Sequence, residues 1–178
     1  PEDIKGIQAL CLYIADERRL LITLISDTGM RLSEALGLVW TDIYLDHDYP
    51  HISLKPHPWR LLKTAGSKRL IPLVGASLEA IKIMHRQRTT QFLFNTYTNA
   101  TGCKGNSCSA AVNKWLKQHL PKAVIHSFRH SFRDRLRNAG IQSEMIDQLG
   151  GWASQTVGQG YGEGFSLPNL YASVVNSF

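Results

Sequence analysis

The spacing of apolar residues along the chain predicts a series of short helices. Residues 4–15 and 17–26 carry apolar side chains every three or four positions, and the second segment is apolar on most sides, which is typical of a helix at the centre of a core. The same spacing predicts a short helix that starts near Arg31 and a helix over residues 78–88, with Ser77 as its N-cap. Further helices are predicted over residues 109–120, from His126 to a C-cap at Gly140, from a cap at Ser143 to Gly150, and over residues 170–178.

The pattern changes between the third and fourth of these helices. Residues 43–45, 51–54 and 69–73 are short β-type runs separated by prolines and a glycine, which we interpret as a small antiparallel sheet at one edge of a helical domain. The chain has 178 residues, of which 43% are apolar, so it is long enough for one domain with a sizeable core. The predicted fold class is therefore mainly α with a small antiparallel β-sheet (α+β), as a single domain over residues 1–178.

The charge balance and the cysteine count indicate which partner and which cellular compartment to expect. Lysine and arginine number 20 against 14 acidic residues, a modest excess that fits a nucleic-acid partner but is common among other proteins. No apolar run approaches the roughly 20 residues of a membrane span, no signal peptide is apparent, and three cysteines cannot all pair, so we expect an intracellular, reducing setting without a membrane. We interpret Cys103 and Cys108 as loop thiols, because a zinc site would need four ligands.

Two basic residues in the first half of the chain have both an ordinary and a functional interpretation. Gly29 ends a helix, and Arg31 then opens the next one, where it either binds an anion or pairs with Glu34 one turn later. Lys63 lies in a polar turn between two strands, where it is either a solvated residue or a flexible lysine held over a ligand. The local sequence leaves both choices open.

The second half contains a basic helical face, a tryptophan after two glycines and a tyrosine among glycines. His126 and Arg129 share one face of a predicted helix, which is either solvated or part of a site. Trp152 follows Gly150-Gly151 and is interpreted as a core or lid residue. Tyr161 lies in the segment GQGYGEG, where flanking glycines disfavour a helix and predict a flexible stretch whose tyrosine is either incidental or must move.

Taken in order, these segments resemble the catalytic domain of the tyrosine recombinases, the phage integrase family. The first motif of the family matches TGMRLSE at residues 28–34, and its hairpin lysine before a strand matches Lys63 before RLIPL at residues 69–73. The second motif matches HSFRH at residues 126–130, and the third matches Gly150-Gly151-Trp152 followed nine residues later by Tyr161. Five matches in the family's order make the resemblance specific, and it covers residues 27–161.

The resemblance implies a site-specific DNA recombinase or integrase that cleaves and rejoins DNA through a 3′-phosphotyrosine. Tyr161 would be the nucleophile, with Tyr171 as a fallback at the wrong spacing. Arg31 and Arg129 would hold the phosphate oxygens. His126 would accept the phenol proton or donate a hydrogen bond to the phosphate, Trp152 would donate its indole N–H to the phosphate, and Lys63 would protonate the 5′ oxygen.

The resemblance also implies partners and leaves alternatives. It implies double-stranded DNA as substrate, no cofactor, neither metal nor ATP, and a homo-tetramer on DNA. The segment between Leu170 and Phe178 would either pass to a neighbouring subunit or cover its own core. The family's N-terminal core-binding domain is expected to be absent from residues 1–178. The alternatives are a catalytically silent DNA-binding remnant, suggested by the glycines around Tyr161, and a type IB topoisomerase-like activity.

Overall fold

The computed structural model describes residues 2–152 and 164–178, which form a helical domain with a small sheet. Helix α1 (Glu2–Ile14) and helix α2 (Glu17–Thr28) are joined by Asp16, whose carboxylate accepts the backbone N–H of Arg19 at 3.0 Å and caps α2. Every residue of α2 from Leu20 to Thr28 is buried, which confirms its predicted place at the centre of the core. Helix α2 ends at Gly29, in the left-handed conformation with φ of 60°.

The remaining elements follow in chain order. The helices are α3 (Leu32–Leu36), α4 (Gly75–Gln87), α5 (Gly105–His119), α6 (Ser127–Asn138), α7 (Ser143–Gly150) and α8 (Leu167–Val175). The strands are β1 (Ile43–Tyr44), β2 (His51–Leu54), β3 (Arg69–Pro72), β4 (Thr98–Asn99) and β5 (Gly102–Cys103). Strands β1, β2 and β3 form an antiparallel sheet in that order, while β4 and β5 form a separate short hairpin. The predicted fold class, mainly α with a small antiparallel β-sheet, is confirmed.

Helix α4 begins earlier than predicted, because its cap comes from another element. It starts at Gly75 rather than residue 78, and Ser77 lies inside the first turn, where its hydroxyl accepts the N–H of Val74 at 3.2 Å. The N–H of Ala76 donates to the carboxylate of Asp27 at 3.1 Å. Asp27 belongs to α2, so the sequence around Ser77 could not reveal it.

The interpretation of Cys103 and Cys108 as loop thiols is wrong for Cys108. Helix α5 starts at Gly105 instead of residue 109, and this extra turn places Cys108 on the same buried face as Val112 and Leu116. Burial raises the pKa of the Cys108 thiol to about 12, so it behaves as a small apolar side chain. Cys103 is partly exposed in β5.

Three helix ends differ by a few residues from the prediction. Helix α6 is followed by Gly140 with φ of 75°, although the capping position itself is Ala139. Helix α7 is capped by Gln142, so Ser143 is its first helical residue. Helix α8 spans Leu167–Val175 instead of residues 170–178, because Pro168 fits the first turn of a helix, where no N–H is needed.

Two groups of buried side chains meet along α6. The larger one joins α1 to α5 with the three-stranded sheet and includes Phe128. The smaller one joins α6, α7 and α8 through seven buried residues, Val74, Phe132, Leu136, Ile146, Leu149, Leu170 and Val174. Of the two roles considered for the C-terminal segment, the structure shows the second, since Leu170 and Val174 cover this domain's own core.

Membrane insertion finds no support in the part of the chain that the structure describes, where none of the helices is both long and apolar enough to span a bilayer.

Candidate functional site

Arg31 occupies the N-cap position of α3, between Gly29 and the helix. Its backbone N–H donates to Glu34 Oε2 at 2.9 Å, and its Nη1 donates to Glu34 Oε1 at 2.6 Å. Its Nη2 donates to the carbonyl oxygen of Gly151 at 3.2 Å. The ion pair with Glu34 is therefore present, yet the arginine is only partly exposed and reaches a residue 120 positions away. Pairing with Glu34 holds the guanidinium in place while leaving N–H groups available to an anion.

Arg129 lies in the first turn of α6 and is almost completely buried, with 3% of its surface exposed. Its Nη1 donates to the carbonyl oxygen of Gly29, whereas its Nη2 is buried without a hydrogen-bond partner among the described residues. Burial, followed by the neighbouring charge of Arg31, lowers the pKa of Arg129 to about 10. A solvated face is thus the wrong interpretation for Arg129. A buried charged donor without a partner is costly, and an anion would satisfy it.

Trp152 covers the guanidinium of Arg129. The Cζ atom of Arg129 lies 4.2 Å from the centroid of the tryptophan ring, and Cζ of Arg133 lies 4.9 Å from it. The ring passes so close to Gly150 that a β-carbon there would overlap it. Trp152 therefore serves both as part of the smaller core and as a lid over the basic residues.

His126 and His130 stand side by side at the start of α6, with ring centroids 5.0 Å apart. His126 is largely exposed as a residue, but partial desolvation of its imidazole lowers its pKa, and the charges of His130, Arg129 and Arg31 lower it further. A neutral imidazole is consequently the favoured form at neutral pH, and this form can accept a proton.

Lys63 is exposed in the turn between β2 and β3, and its side chain makes no hydrogen bond or ion pair with any residue that the structure describes. The turn itself is anchored nearby. The Oγ atom of Ser67 lies 3.0 Å from Thr64 Oγ1 and accepts Nη1 of Arg31 at 3.3 Å. Lys63 thus extends from the connection between β2 and β3, in which Ser67 contacts Arg31.

Tyr161, the predicted nucleophile, lies outside the described residues. The structure describes the chain up to Trp152 and again from Gly164. Tyr171, the alternative nucleophile, is in α8 and contacts Tyr49 edge to face, with ring centroids 5.5 Å apart.

Arg69 is the main residue of the site that the sequence analysis did not identify as important. It is buried and forms an ion pair with Glu34, with Nη2 at 3.0 Å from Oε2. Burial alone would raise the pKa of Glu34, but the charge and hydrogen bonds of Arg69, together with those of Arg31, outweigh burial and lower it. The alternation of inward and outward side chains along β3 could have indicated that Arg69 is buried, because Arg69 shares the inward face of the strand with Ile71.

The site combines more positive than negative charge. Four arginines, at positions 31, 69, 129 and 133, surround the two carboxylates of Glu34 and Asp147. Arginine N–H groups arranged in this way bind phosphate. In residues 2–152 and 164–178, no group of three or more histidine, cysteine, aspartate or glutamate side chains is placed to hold a metal ion.

Known proteins with similar sequences are named tyrosine recombinases and resolvases. A tyrosine recombinase XerC of Neisseria gonorrhoeae is 29% identical over 147 residues, which cover 79% of this chain and 45% of that protein. A resolvase of Escherichia coli is 28% identical over 188 residues, covering 90% of this chain and 72% of that protein. The chain spans about half the length of the XerC proteins that it matches.

Solved structures share the fold at low sequence identity. The XerA recombinase superposes with a TM-score of 0.64 at 15% identity, over all of this chain and 57% of XerA. The Tn1549 transposon integrase, solved in complex with circular intermediate DNA, superposes with a TM-score of 0.61 at 19% identity, over 94% of this chain and 58% of the integrase. These matches confirm the predicted tyrosine-recombinase catalytic-domain fold.

The sequence profile of the phage integrase family matches residues 1–163, which include every motif described above. The chain belongs to the phage integrase family.

Proposed function

We propose that this chain is the catalytic domain of a site-specific DNA recombinase, an enzyme that cleaves and rejoins DNA through a covalent 3′-phosphotyrosine. The observation that carries the proposal is the buried Nη2 of Arg129, which has no hydrogen-bond partner in the described part of the chain and lies in an arginine cluster beneath Trp152. A phosphodiester is the anion that family membership suggests for this cluster.

Two arginines hold the phosphate in the proposed mechanism. Arg129 and Arg31 donate to its non-bridging oxygens and stabilise the charge that accumulates in the pentacoordinate transition state. Glu34 keeps Arg31 in position through the contact of 2.6 Å. Trp152 covers Arg129 and excludes water from one side, which strengthens the interaction of the guanidinium with the phosphate. Its indole N–H is a further donor to the same oxygens.

Tyr161 is the proposed nucleophile and His126 the proposed base. A phenol has a pKa of about 10, so only a small fraction is ionised at neutral pH and a proton acceptor is needed. As the phenol oxygen bonds to phosphorus, its proton passes to the neutral imidazole of His126. The lowered pKa of His126 supports this role.

Lys63 protonates the leaving group in the proposed mechanism. The bond between phosphorus and the 5′ oxygen breaks, the 5′ oxygen takes a proton from the Lys63 ammonium, and the products are a 3′-phosphotyrosine and a free 5′-hydroxyl. The exposed side chain, in the connection between β2 and β3, can follow the departing strand. A 5′-hydroxyl from another strand then reverses the step and rejoins the DNA.

This chemistry needs neither ATP nor a metal ion. Each transesterification replaces one phosphoester bond by another, so no external energy source is required, and the arginines supply the positive charge that a metal would otherwise provide.

Double-stranded DNA is the proposed substrate, and a homo-tetramer on DNA the proposed assembly. The named relatives are recombinases and one structural neighbour was solved with DNA, which supports DNA as the substrate. If the C-terminal segment connects the subunits, Leu170 and Val174 must leave the core that they cover here and enter the same environment in a neighbour.

The experiment that tests the proposal is incubation of the protein with supercoiled plasmid, followed by denaturation. We expect relaxed plasmid and protein attached to DNA 3′ ends with the wild type, and neither product with Tyr161→Phe. Sequencing the DNA at the attachment points locates the cleaved sites. Tyr171→Phe is the matched control. Tyr171 lies in α8 and packs against Tyr49, so this variant should retain adduct formation.

Other outcomes would contradict the proposal in distinct ways. Salt-sensitive DNA binding without adducts in either protein would favour the catalytically silent DNA-binding domain. Adducts that persist in Tyr161→Phe and vanish in Tyr171→Phe would assign the nucleophile to α8. Relaxation without joining of exchanged strands at mapped sites would favour the topoisomerase-like activity.

A further inference from the structure

Arg69, at the start of β3, joins three parts of the molecule through a single guanidinium. Its Nε donates to the carbonyl oxygen of Leu149 at 2.8 Å, its Nη1 to the carbonyl oxygen of Ser67 at 2.8 Å, and its Nη2 to Glu34 Oε2 at 3.0 Å. Only 8% of the residue is exposed, so its guanidinium lies beneath the surface at which DNA would bind. Arg69 can therefore influence a reaction at the site only through the groups that it holds.

Ser67 connects Arg69 to the turn that carries Lys63. The residue is fully buried, its backbone N–H donates to the carbonyl oxygen of Thr64 at 3.0 Å, and its hydroxyl lies between Thr64 Oγ1 and Arg31 Nη1. Lys63 directly precedes Thr64. The position of the lysine's backbone is thus set by Ser67, whose carbonyl oxygen is held by Arg69.

Glu34 connects Arg69 to Arg31. Its carboxylate is buried and accepts hydrogen bonds from both guanidinium groups, with Arg31 Nη1 at 2.6 Å from Oε1 and Arg69 Nη2 at 3.0 Å from Oε2. The planar guanidinium of Arg69 directs its donors in fixed directions toward the carboxylate and two carbonyl oxygens at once, a task that the single ammonium of a lysine cannot perform.

The third contact fixes the end of α7. Arg69 and Arg31 bind the carbonyl oxygens of Leu149 and Gly151, and a β-carbon at Gly151 would lie 2.7 Å from Nη1 of Arg69. The residue that follows is Trp152, which covers Arg129. The buried side chain of Arg69 therefore fixes the positions of the Lys63 turn, Arg31 and Trp152 relative to one another.

We propose that Arg69 is a positioning residue for DNA cleavage, which fixes the Lys63 turn relative to the phosphate held by Arg31. This inference rests on the proposed function, in which Lys63 protonates the 5′ oxygen. Proton transfer to a leaving oxygen requires close alignment, and a misplacement of about 1 Å can lower a rate about 100-fold.

Replacing the leaving 5′ oxygen by sulfur shows whether Arg69 acts by positioning Lys63, the proposed acid, or in another way. A thiol has a pKa of about 8.5, far below that of an alcohol, so a thiolate leaves with little help from an acid. DNA duplexes with the mapped cleavage sequence are prepared with either oxygen or sulfur at the 5′ bridging position. The rate of adduct formation is then measured on both duplexes.

The expected pattern distinguishes Arg69 from the residues that bind phosphate. Arg69→Lys should lower the rate on the oxygen duplex by about 100-fold and lower it much less on the sulfur duplex. Lys63→Ala should show the same recovery on sulfur, whereas Arg129→Met should lose activity on both. Arg19→Lys is the control, since Arg19 is a partly buried arginine at the start of α2 that pairs with Asp16 at 3.0 Å and stacks on Trp115, and it should match the wild type.

Two results would overturn the inference. One is an equal loss on both duplexes for Arg69→Lys, and the other is no loss on either. If Arg69→Lys fails to fold in a urea titration, Arg69→Gln, which keeps an amide N–H donor without the charge, is scored by the same comparison. Wild-type protein that forms adducts on neither duplex would instead refute the proposed function itself.

Discussion

The guanidinium of Arg129 lies beneath the indole ring of Trp152, with 4.2 Å between Cζ and the ring centroid. Arg133 approaches the same ring at 4.9 Å, so one tryptophan covers two cations of the site. In the proposed mechanism the indole thus has two separable contributions, its aromatic face, which covers the arginines, and its N–H, which donates to the phosphate.

Substitutions at Trp152 should separate these contributions. Trp152→Phe keeps an aromatic face but removes the N–H, and a lost hydrogen bond to a charged group predicts about a tenfold slower adduct formation. Trp152→Ala also removes the cation–π contacts and should cost about another tenfold. Rates measured on plasmid under single-turnover conditions test this order, and equal losses in both variants would assign the whole effect to the N–H.

Arg129→Met should separate function from stability. The pKa of Arg129 is lowered to about 10 by burial and by Arg31, so the folded state disfavours its charge. Removing the charge offsets the lost hydrogen bond to Gly29, and we expect the free energy of unfolding to change by less than about 1 kcal/mol. Adduct formation should fall by about 100-fold or more, as for other transition-state donors.

The matched variant for this comparison is Arg135→Met on the same helix. Arg135 pairs with the buried carboxylate of Asp27 at 3.0 Å and donates to the carbonyl oxygen of Ser26. Removing it leaves a buried carboxylate with one partner fewer, so urea titration should show a loss of about 3 kcal/mol. A larger loss of stability in Arg129→Met than in Arg135→Met would contradict this account.

Gly29 is required for both its conformation and its lack of a side chain. Its φ is 60°, and a β-carbon would lie 2.4 Å from the ring of Phe132. Gly29→Ala should therefore lower the free energy of unfolding by about 2 kcal/mol or more, and should also move the carbonyl oxygen that Arg129 uses. Gly6→Ala is the control, since Gly6 lies in α1 with open space around it, and it should raise stability by about 0.5–1 kcal/mol.

The sequence predicted which residues come together around Arg129, but few of the buried polar contacts that hold them. Helical spacing and turn glycines located most elements, and the motif residues Arg31, Arg129 and Trp152 do come together. The burial of Arg129 was not predictable from its helix, because the groups that cover it, Gly29 and Trp152, come from distant parts of the chain.

Long-range polar contacts explain the rest of the difference. Arg69 binds groups 35 and 80 residues away, and Asp27 caps a helix that begins 48 residues later. Such partners leave no periodic trace in the local sequence. A charged residue on the inward side of a strand, as at position 69, is the one local sign that a buried partner exists.

The acid limb of the pH–rate profile should report on His126. Its imidazole must be neutral to accept the phenol proton, and partial burial together with the charges of His130, Arg129 and Arg31 lowers its pKa from 6.5. A lowered pKa keeps the base neutral further into the acid range, so adduct formation should stay constant through neutral pH and fall to half only below 6.5.

Replacing the neighbouring histidine should move that limb in a defined direction. His130→Asn removes a charge whose ring lies 5.0 Å from His126, so the pKa of His126 rises toward its ordinary value. The pH at which the rate falls to half, the half-point, then shifts upward, because His126 becomes protonated, and can no longer accept a proton, at a higher pH. His119→Asn, in α5 beside Trp115, should leave the profile in place. An unmoved half-point in His130→Asn, or a wild-type half-point above 6.5, would show that another group titrates.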